Sequence, residues 1–556
     1  MIRQQAVDPG RIPYRIRIGV TGHRDLESSA RLREVLARVP QLLPASEATP
    51  VRLGVVSALA EGADRVVVDE VFDQAAARGE EARLEVVLPF ERERYVELQE
   101  FSASAEEEFV RWLGRATSVV ELGGPWGPKA REASYEAAGQ HVVNRCDVLV
   151  ALWDGRPSGG RGGTAETLLY AAELGKPCIW IPSTEEEPHV DNLSEEHAEG
   201  FFAEVRRRAA VSRERSGDRH ALRTHVLKPL RDTFRELDDF NRLPLPAEPE
   251  LRRRLERELG AVDEDSAWIT GPFVRASVLA DRYQTRFTWT TWLMSALATG
   301  AAVCLGASLA KEHPAPIWVW AEVACLLALV ALFVAVHRLG FHRRWLSYRL
   351  LAERFRSAYF MAPTGIDFRR TAGLDAVFVE RQSADWHLRA FEEVWDSRPD
   401  AVGPPRTLAD EEVDRLKHHL AEDWIGGQIA YHAKARRRHQ RHDFVLTSIV
   451  LVLFLGTVVI AILHAAGVRE RISIFLSVTL PVAAAAIGVI LTVRQHRALA
   501  ERYERMHADL LSVQRSLLDV DAQTISKTTS EAARVIAEEN GDWFGAMWFL
   551  DVEHPP

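Results

Sequence analysis

IWVWAEVACLLALVALFVAV, residues 317–336, holds one carboxylate and no basic residue. An α-helix needs about 20 apolar residues to cross the hydrocarbon of a bilayer, so this run reads as a span. Three further runs have the same character: FTWTTWLMSALATGAAVCLGASL (287–309), FVLTSIVLVLFLGTVVIAIL (444–463) and ISIFLSVTLPVAAAAIGVILTV (472–493). The short links AKEHPAP (310–316) and HAAGVRER (464–471) join them in pairs. In lipid only a helix satisfies its own backbone, so two helical hairpins are expected. Core helices of a soluble protein would not supply two adjacent runs of this length twice over.

The basic flanks set the expected orientation. Arg282 and Arg286 precede the first run, and Arg338, Arg343, Arg344 and Arg349 follow the second. Lys434, Arg436, Arg437, Arg438 and Arg441 precede the third, and Arg494, Arg497 and Arg502 follow the fourth. The links hold Lys311, Arg469 and Arg471, offset by Glu312 and Glu470. The expectation is a multi-pass protein of the cell (inner) membrane with both termini and the central segment in the cytoplasm. Two residues within the runs are candidates for a pore: Glu322, an ionisable group inside a span, and Pro481, which would kink the fourth helix.

RLLAERFR (349–356) after the second run resembles RALAERYE (497–504) after the fourth, so a two-span module with a trailing amphipathic helix is used twice. The segment 362–443 reads as helical, with Trp386, Trp395 and Trp424 as packing anchors, and the tail 498–548 reads as helical again. Long helices beside paired spans favour self-association, so a homo-oligomer is expected.

The chain has 556 residues and a net charge of −10, with no basic face interleaved with aromatics. Nucleic acid is therefore not the expected partner. Cys146, Cys178, Cys304 and Cys325 form no metal-ligand spacing and read as small buried hydrophobes, the first two in strands. No metal or resident cofactor is expected. MIRQQAVDPGRIPYR has no apolar core of a signal peptide.

From residue 15 to 182, Val/Ile/Leu runs alternate with helical stretches: RIRIGV (15–20), VRLGVVS (51–57), RLEVVLP (83–89), TSVVEL (117–122), DVLVALW (147–153) and PCIWIP (177–182). Such runs predict a parallel sheet covered on both faces, whose ligands bind beyond the carboxyl ends of its strands. The fold class is thus an α/β domain with a parallel sheet, followed by an all-α membrane region of four transmembrane helices in two hairpins. The chain divides into residues 1–182, a helical transducer 183–286 with breaks at Pro244–Pro249 and Gly260, a first two-span module 287–361, the segment 362–443, and a second module 444–556.

The candidate ligand residues follow the strands. Gly19, Thr21, Gly22, His23, Arg24 and Asp25 belong to the first, with Gly22 for a tight turn beside a ligand and His23 and Arg24 as donors. Ser57, Glu61, Gly62 and Asp64 follow the second. DGRPSGGRGGTAE (154–166) follows the fifth, with Asp154, Gly155, Arg156, Gly159, Arg161, Gly162, Gly163, Thr164 and Glu166. Its glycines let main-chain amides converge on a phosphate at a helix N-terminus, and its arginines would add charge.

GVTGHRD, SALAEGADR, VVNRCDVLVALWDG and GGTAETLLYA, over residues 15–182, together resemble the SLOG superfamily of DNA-processing and LONELY GUY-like Rossmannoid proteins. The hairpins with trailing helices resemble the SLATT class of two-span modules found beside such sensors or nucleotide-synthesising enzymes. The resemblance implies a Rossmann-like domain binding a nucleotide or nucleotide-derived ligand at the GGT loop. In cleaving members the loop reads PGGxGTxxE and its glutamate helps hydrolyse an N-glycosidic bond. Here Glu166 follows Thr164 by two residues rather than three, and one residue turns a helical side chain by about 100°.

Three functions compete. The first is a ligand-gated membrane effector that forms a pore or breaches the bilayer, in the anti-phage defence the resemblance implies, with a nucleotide-synthesising partner enzyme. The second is a membrane-anchored nucleotide N-glycosidic hydrolase using Glu166 and Asp154. The third is a membrane scaffold without a small-molecule ligand.

Overall fold

The computed structural model describes residues 10–23, 29–99, 101–124, 127–158, 161–182, 189–209, 226–260, 267–311, 315–364, 386–399, 410–521 and 524–548. The chain forms two compact units, one of Met1–Pro244 with Leu374–Ser397, the other of Leu245–Gly373 with Arg398–Pro556.

The first unit is built on seven strands: β1 (Tyr14–Gly22), β2 (Val51–Ser57), β3 (Arg83–Leu88), β4 (Ser118–Glu121), β5 (Val148–Trp153), β6 (Cys178–Pro182) and β7 (Val190–Asp191). Their order is β4-β3-β2-β1-β5-β6-β7, all parallel except β7. The parallel sheet expected from the apolar runs is therefore present, with a two-residue antiparallel edge. Among the described residues up to 244 the helices are α1 (Ser29–Arg38), α2 (Ala63–Ala77), α3 (Arg92–Gln99), α4 (Ala103–Gly114), α5 (Pro128–Arg145), α6 (Thr164–Glu173), α7 (Glu195–Arg208) and α8 (Lys228–Asn241).

Two glycines of β1 show why helices cover both faces. A Cβ at Gly19 would crowd Cys146 and Val142 at the end of α5, and one at Gly22 would overlap Ala63, the first residue of α2. Residues an odd number apart on a strand face opposite ways, so α5 and α2 lie on opposite sides of the sheet. Every residue of β5 is buried, as a strand covered on both faces requires. Cys146 is the C-cap of α5 rather than part of a strand, and Cys178 begins β6; both are fully buried and free.

The amino ends of the strands are closed by two helices that are distant in sequence. Asn241 of α8 accepts from Ile12 N (3.0 Å) and donates to Ile12 O (2.7 Å), pinning the chain ahead of β1. Beside it lies a helix from the segment between the hairpins, Trp386–Trp395 (α13), whose Trp386 ring packs on Phe240 of α8. The segment 362–443 is thus divided: Trp386 and Trp395 are buried in the first unit, whereas Trp424 is buried in the second, stacked on Phe360.

The second unit is helical: α9 (Glu248–Leu259), α10 (Ala267–Leu309), α11 (Pro316–Leu339), α12 (Phe341–Met361), α14 (Asp410–His418), α15 (Gly427–Ala465), α16 (Glu470–Arg494), α17 (His496–Leu518) and α18 (Ile525–Trp548). A π-helical stretch, His419–Gly426, joins α14 to α15. Among the described residues four helices are long and apolar enough to cross a membrane, and they contain the four runs read from the sequence. At 1.5 Å per residue, the 43 residues of α10 extend over roughly 65 Å, about twice a hydrocarbon core. Large side chains stand bare on these helices, Ile317 at 70% and Phe444 at 73% exposure, and α11 buries no residue at all. An apolar surface of that extent is suited to lipid, not water.

Helix α10 of the first hairpin packs on α16 of the second through small residues. Ser295 Oγ donates to Ala486 O (3.3 Å), and a Cβ at Gly306 would stand 3.1 Å from Phe475. Small residues let helix backbones approach where no hydrophobic effect drives them together. Pro481 lies inside α16, which runs unbroken around it, and Glu322 is half-buried near the start of α11.

The repeat reappears as a shared joint. Helix α11 ends on Gly340 and α16 ends on Gln495, both left-handed (φ 57° and 42°), and each donates its N–H four residues back, to Val336 O and Leu491 O. A new helix starts at the next residue in each case. The matching octamers begin nine residues after Gly340 and two after Gln495. That offset of seven residues leaves a helical face within about 20° of two full turns, so Phe355 and Tyr503 both point inward and are buried.

Gln495 therefore sits where a side chain costs free energy. Replacing it with Val should lower stability by about 1–2 kcal/mol, because a β-branched residue tolerates φ > 0 worst, whereas Gln495→Gly should not lower it. Thermal unfolding of the detergent-solubilised protein measures both; equal midpoints for Val and Gly would contradict the strained joint.

Candidate functional site

The strand order reverses at β1, whose neighbours are β2 on one side and β5 on the other. Open parallel sheets bind ligands in the crevice beyond the carboxyl ends at such a point. Here that crevice is framed by the ends of β1 and β5 and by the loops leading into α2 and α6.

At the end of β1, Gly22 is in register with Leu152, and His23 N donates to Leu152 O (3.1 Å). The space beside Gly22 is filled by Ala63 and Leu152, so this glycine allows the close packing of α2 on the sheet. Gly19 likewise packs against Cys146, one turn of the pleat below the crevice. Thr21 is half-buried. The His23 imidazole lies 3.2 Å (Nε2 to Oδ1) from Asp154 at the end of β5, and both remain partly open to solvent. Arg24, Asp25, Gly159 and Gly160 lie outside the described residues.

The β2 loop is held from within. Asp64 Oδ2 accepts from Ser57 Oγ (2.7 Å) and Ala58 N (3.1 Å), and Ser57 Oγ accepts from Leu59 N (2.9 Å). These bonds stabilise a tight path through Leu59 and Gly62, both at positive φ. Arg65 closes the same loop, donating to Leu59 O (3.2 Å) and pairing with Glu108 (3.0 Å). Ser57 and Asp64 thus shape the N-terminus of α2, while Glu61 at the tip is half-buried. Burial pushes the Asp64 carboxyl up to about 6, against the opposing bonds from Ser57 and the backbone.

The glycine-rich loop is tied down at both ends. Asp154 Oδ1 accepts from Arg156 N (2.9 Å), Trp153 Nε1 donates to Arg156 O (2.7 Å), and Gly155 at φ 75° passes beneath Arg208, where a Cβ would overlap the guanidinium. At the other end Gly162 (φ 80°) lies against the backbone of Tyr135 and Glu136 in α5, where again only glycine fits. Arg161 pairs with Glu136 (2.5 Å), so its guanidinium braces the loop on α5, and Arg156 is almost fully exposed. Glu166 Oε2 accepts from Gly162 N (2.9 Å). Its carboxylate is thus engaged by the residue before the N-cap Gly163.

What remains is the N-terminus of α6. Gly163 is its N-cap and supplies no side-chain acceptor. The first-turn amides of a helix have no intrahelical partner, so Thr164, Ala165 and Glu166 present N–H groups at the positive end of the helix dipole. Chemically this arrangement suits an oxyanion.

The sequence reading missed a second polar cluster, a small cavity in the helical unit lined by Arg349, Glu353, Tyr431, His432, Tyr503 and Glu539 among others. Arg349 donates to Tyr431 Oη (3.2 Å), and His432 Nδ1 is buried without a hydrogen bond. Burial lowers the His432 imidazole to about 4. The signal was present in the octamers, since Arg349 opens one and Tyr503 belongs to the other, but their meeting is tertiary.

A pH dependence follows from Asp64. A carboxyl raised from 3.8 to about 6 contributes stability that is fully present below 3.8 and lost as pH rises through about 6. Between pH 7 and pH 5 the α/β unit should gain about 1 kcal/mol from this group. Scanning calorimetry across that range should show a flatter pH response in Asp64→Asn; identical slopes would remove Asp64 from the account.

Comparison with known proteins bears on the helical unit. No curated protein matches the chain. Residues 422–543, which run from the π-helical stretch through the α15–α16 hairpin and α17 into α18, match the family described as SMODS and SLOG-associating 2TM effector domain 1.

Proposed function

We propose that the protein is a membrane effector of a defence system, in which the α/β unit binds a nucleotide or nucleotide derivative and the hairpins respond by opening a pore or disrupting the bilayer. The observation that carries this reading is the joining, in one chain, of an effector-type two-span domain to a parallel sheet whose switch point ends on an uncapped helix N-terminus. The basic flanks favour an arrangement with both termini on the cytoplasmic face, where an intracellular nucleotide is met. A partner enzyme that makes that nucleotide and a homo-oligomeric assembly belong to the same proposal. To gate, the ligand must bind the open state better than the closed one.

Hydrolysis of the ligand is the weaker reading. Glu166 spends its carboxylate on Gly162 N, and Asp154 spends an oxygen on Arg156 N while facing His23. Neither is poised over a sugar as an unencumbered acid or base.

The direct experiment is a panel of mono-, di- and cyclic nucleotides tested by thermal shift, followed by dye release from liposomes carrying the protein. One class should raise the melting midpoint without being consumed, and the same class should trigger release. Gly163→Asp should abolish both. Aspartate is a favoured N-cap, so the helix is retained while a carboxylate takes the place of the anion. Turnover of a nucleotide would favour the hydrolase. An unchanged shift in Gly163→Asp would place the ligand elsewhere, and the absence of both shift and release would favour a scaffold.

A further inference from the structure

Where the second hairpin leaves its apolar runs, positive charge gathers without an acidic counterpart. Arg438, His439, Arg441 and His442 lie on α15 just ahead of Phe444, and Arg494 and His496 flank the joint between α16 and α17. Helical spacing puts Arg438, Arg441 and His442 on one face of α15. The helices then bring these groups together. His439 Nδ1 and His496 Nδ1 are 2.9 Å apart, and the His442 ring lies 5.3 Å from that of His496. The Arg438 and Arg494 guanidinium groups are close enough to act on each other and on all three imidazoles. Arg494 also donates to Thr288 Oγ1 (2.5 Å), at the start of the first apolar run of α10.

Like charges drawn together cost free energy unless an opposite charge meets them. Neighbouring arginines find that partner within the chain: Arg436 pairs with Glu504 (3.2 Å), Arg497 with Glu501 (3.3 Å) and Arg502 with Glu539 (2.9 Å). Among the described residues Arg438, Arg441 and Arg494 meet no carboxylate, and Asp443, the one acid in 434–443, pairs with none of them. Orienting a hairpin requires basic residues beside the membrane but not their convergence. The cluster therefore calls for a counter-ion from outside the chain, and its depth says which. Arg438 stands about 9 Å along the helix from Phe444, and Arg494 directly follows the apolar run 472–493. Both positions fall at the layer of lipid headgroups that borders the hydrocarbon. Trp289, beside Thr288, is 70% exposed, and an indole at that depth suits the same interface. When two neutral imidazoles share a bond through their Nδ1 atoms, the accepting ring carries its proton on Nε2. The histidine pair thus keeps a donor to add to those of the arginines.

We propose that Arg438, Arg441 and Arg494, with the His439–His496 pair, form a binding site for the headgroup phosphate of an anionic phospholipid. Guanidinium forks match phosphate oxygens, and a headgroup of net negative charge supplies what the chain omits, which a zwitterionic one does not. The site lies wholly within the helical unit and does not depend on what the α/β unit binds.

The test is thermal unfolding of the full-length protein in detergent micelles, with short-chain phosphatidylglycerol, short-chain phosphatidylcholine or inorganic phosphate added. Phosphatidylglycerol should raise the midpoint saturably, and the other two should not. Its apparent affinity should fall roughly thirtyfold in Arg438→Gln/Arg494→Gln and about fivefold in Arg438→Gln alone. Glutamine at 494 keeps a donor for Thr288. Arg497→Gln removes an equal charge, but one already paired with Glu501, and should leave the affinity unchanged. No shift with phosphatidylglycerol, or an equal shift with phosphatidylcholine or inorganic phosphate, would overturn the assignment. So would wild-type affinity in the double variant, or an equal loss in Arg497→Gln, which would reduce the effect to overall charge. Should the double variant fail to fold, Arg438→Gln, at an exposed position, carries the comparison, and wild-type affinity there overturns the site.

Discussion

A main-chain amide without an acceptor is costly wherever water is excluded, and this accounting organises both units. In the helical unit it admits only continuous helices through the apolar runs, so α10, α11, α15 and α16 bond their backbones along their own axes, except where Pro272 and Pro481 lack an N–H. In the α/β unit it explains why the loops beyond the strands are stitched by their own side chains. Asp64 answers the amides that follow β2, and Glu166 answers Gly162. The first-turn amides of α6 have no side-chain cap. The site is in this sense the remainder after the fold has satisfied itself.

The two hairpins are related by a joint as much as by a sequence. Each second span ends on a left-handed residue that donates four residues back, and each is followed at once by a helix leaving in a new direction. A glycine takes that conformation freely at 340, whereas a glutamine is held in it at 495, which shows that the geometry is required in both copies. The family match covers the second copy with its trailing helices. In both copies the inward faces of the trailing helices supply the polar cavity around His432.

Charge is used differently at the two ends of β1 and β5. At the carboxyl ends His23 and Asp154 face each other while partly open to solvent, so they can exchange water or a neighbour for a ligand group. At the amino ends Arg17 and Asp147 are buried and paired with Glu392 and Arg389.

The four spans, their pairing and the parallel sheet were legible in the amino-acid sequence, because each depends on a local pattern that the physics reads locally. Twenty apolar residues suffice for a span, and a Val/Ile/Leu run between helical stretches suffices for a buried strand. Gly155 and Gly162 were legible as part of a glycine-rich loop, but the neighbours that pack against Gly19 and Gly22, Cys146 and Ala63, are remote in the chain and were out of reach. The roles of Glu166 and Arg161 were equally out of reach: a carboxylate beside a glycine loop looks the same whether it faces a ribose or an amide. The placement of Trp386–Trp395 against β1 was the least accessible, because a helix buried on all sides carries no pattern naming its host. Local periodicity determined which elements form; only the tertiary structure, by bringing opposite charges out of water together, decided to which unit that helix belongs.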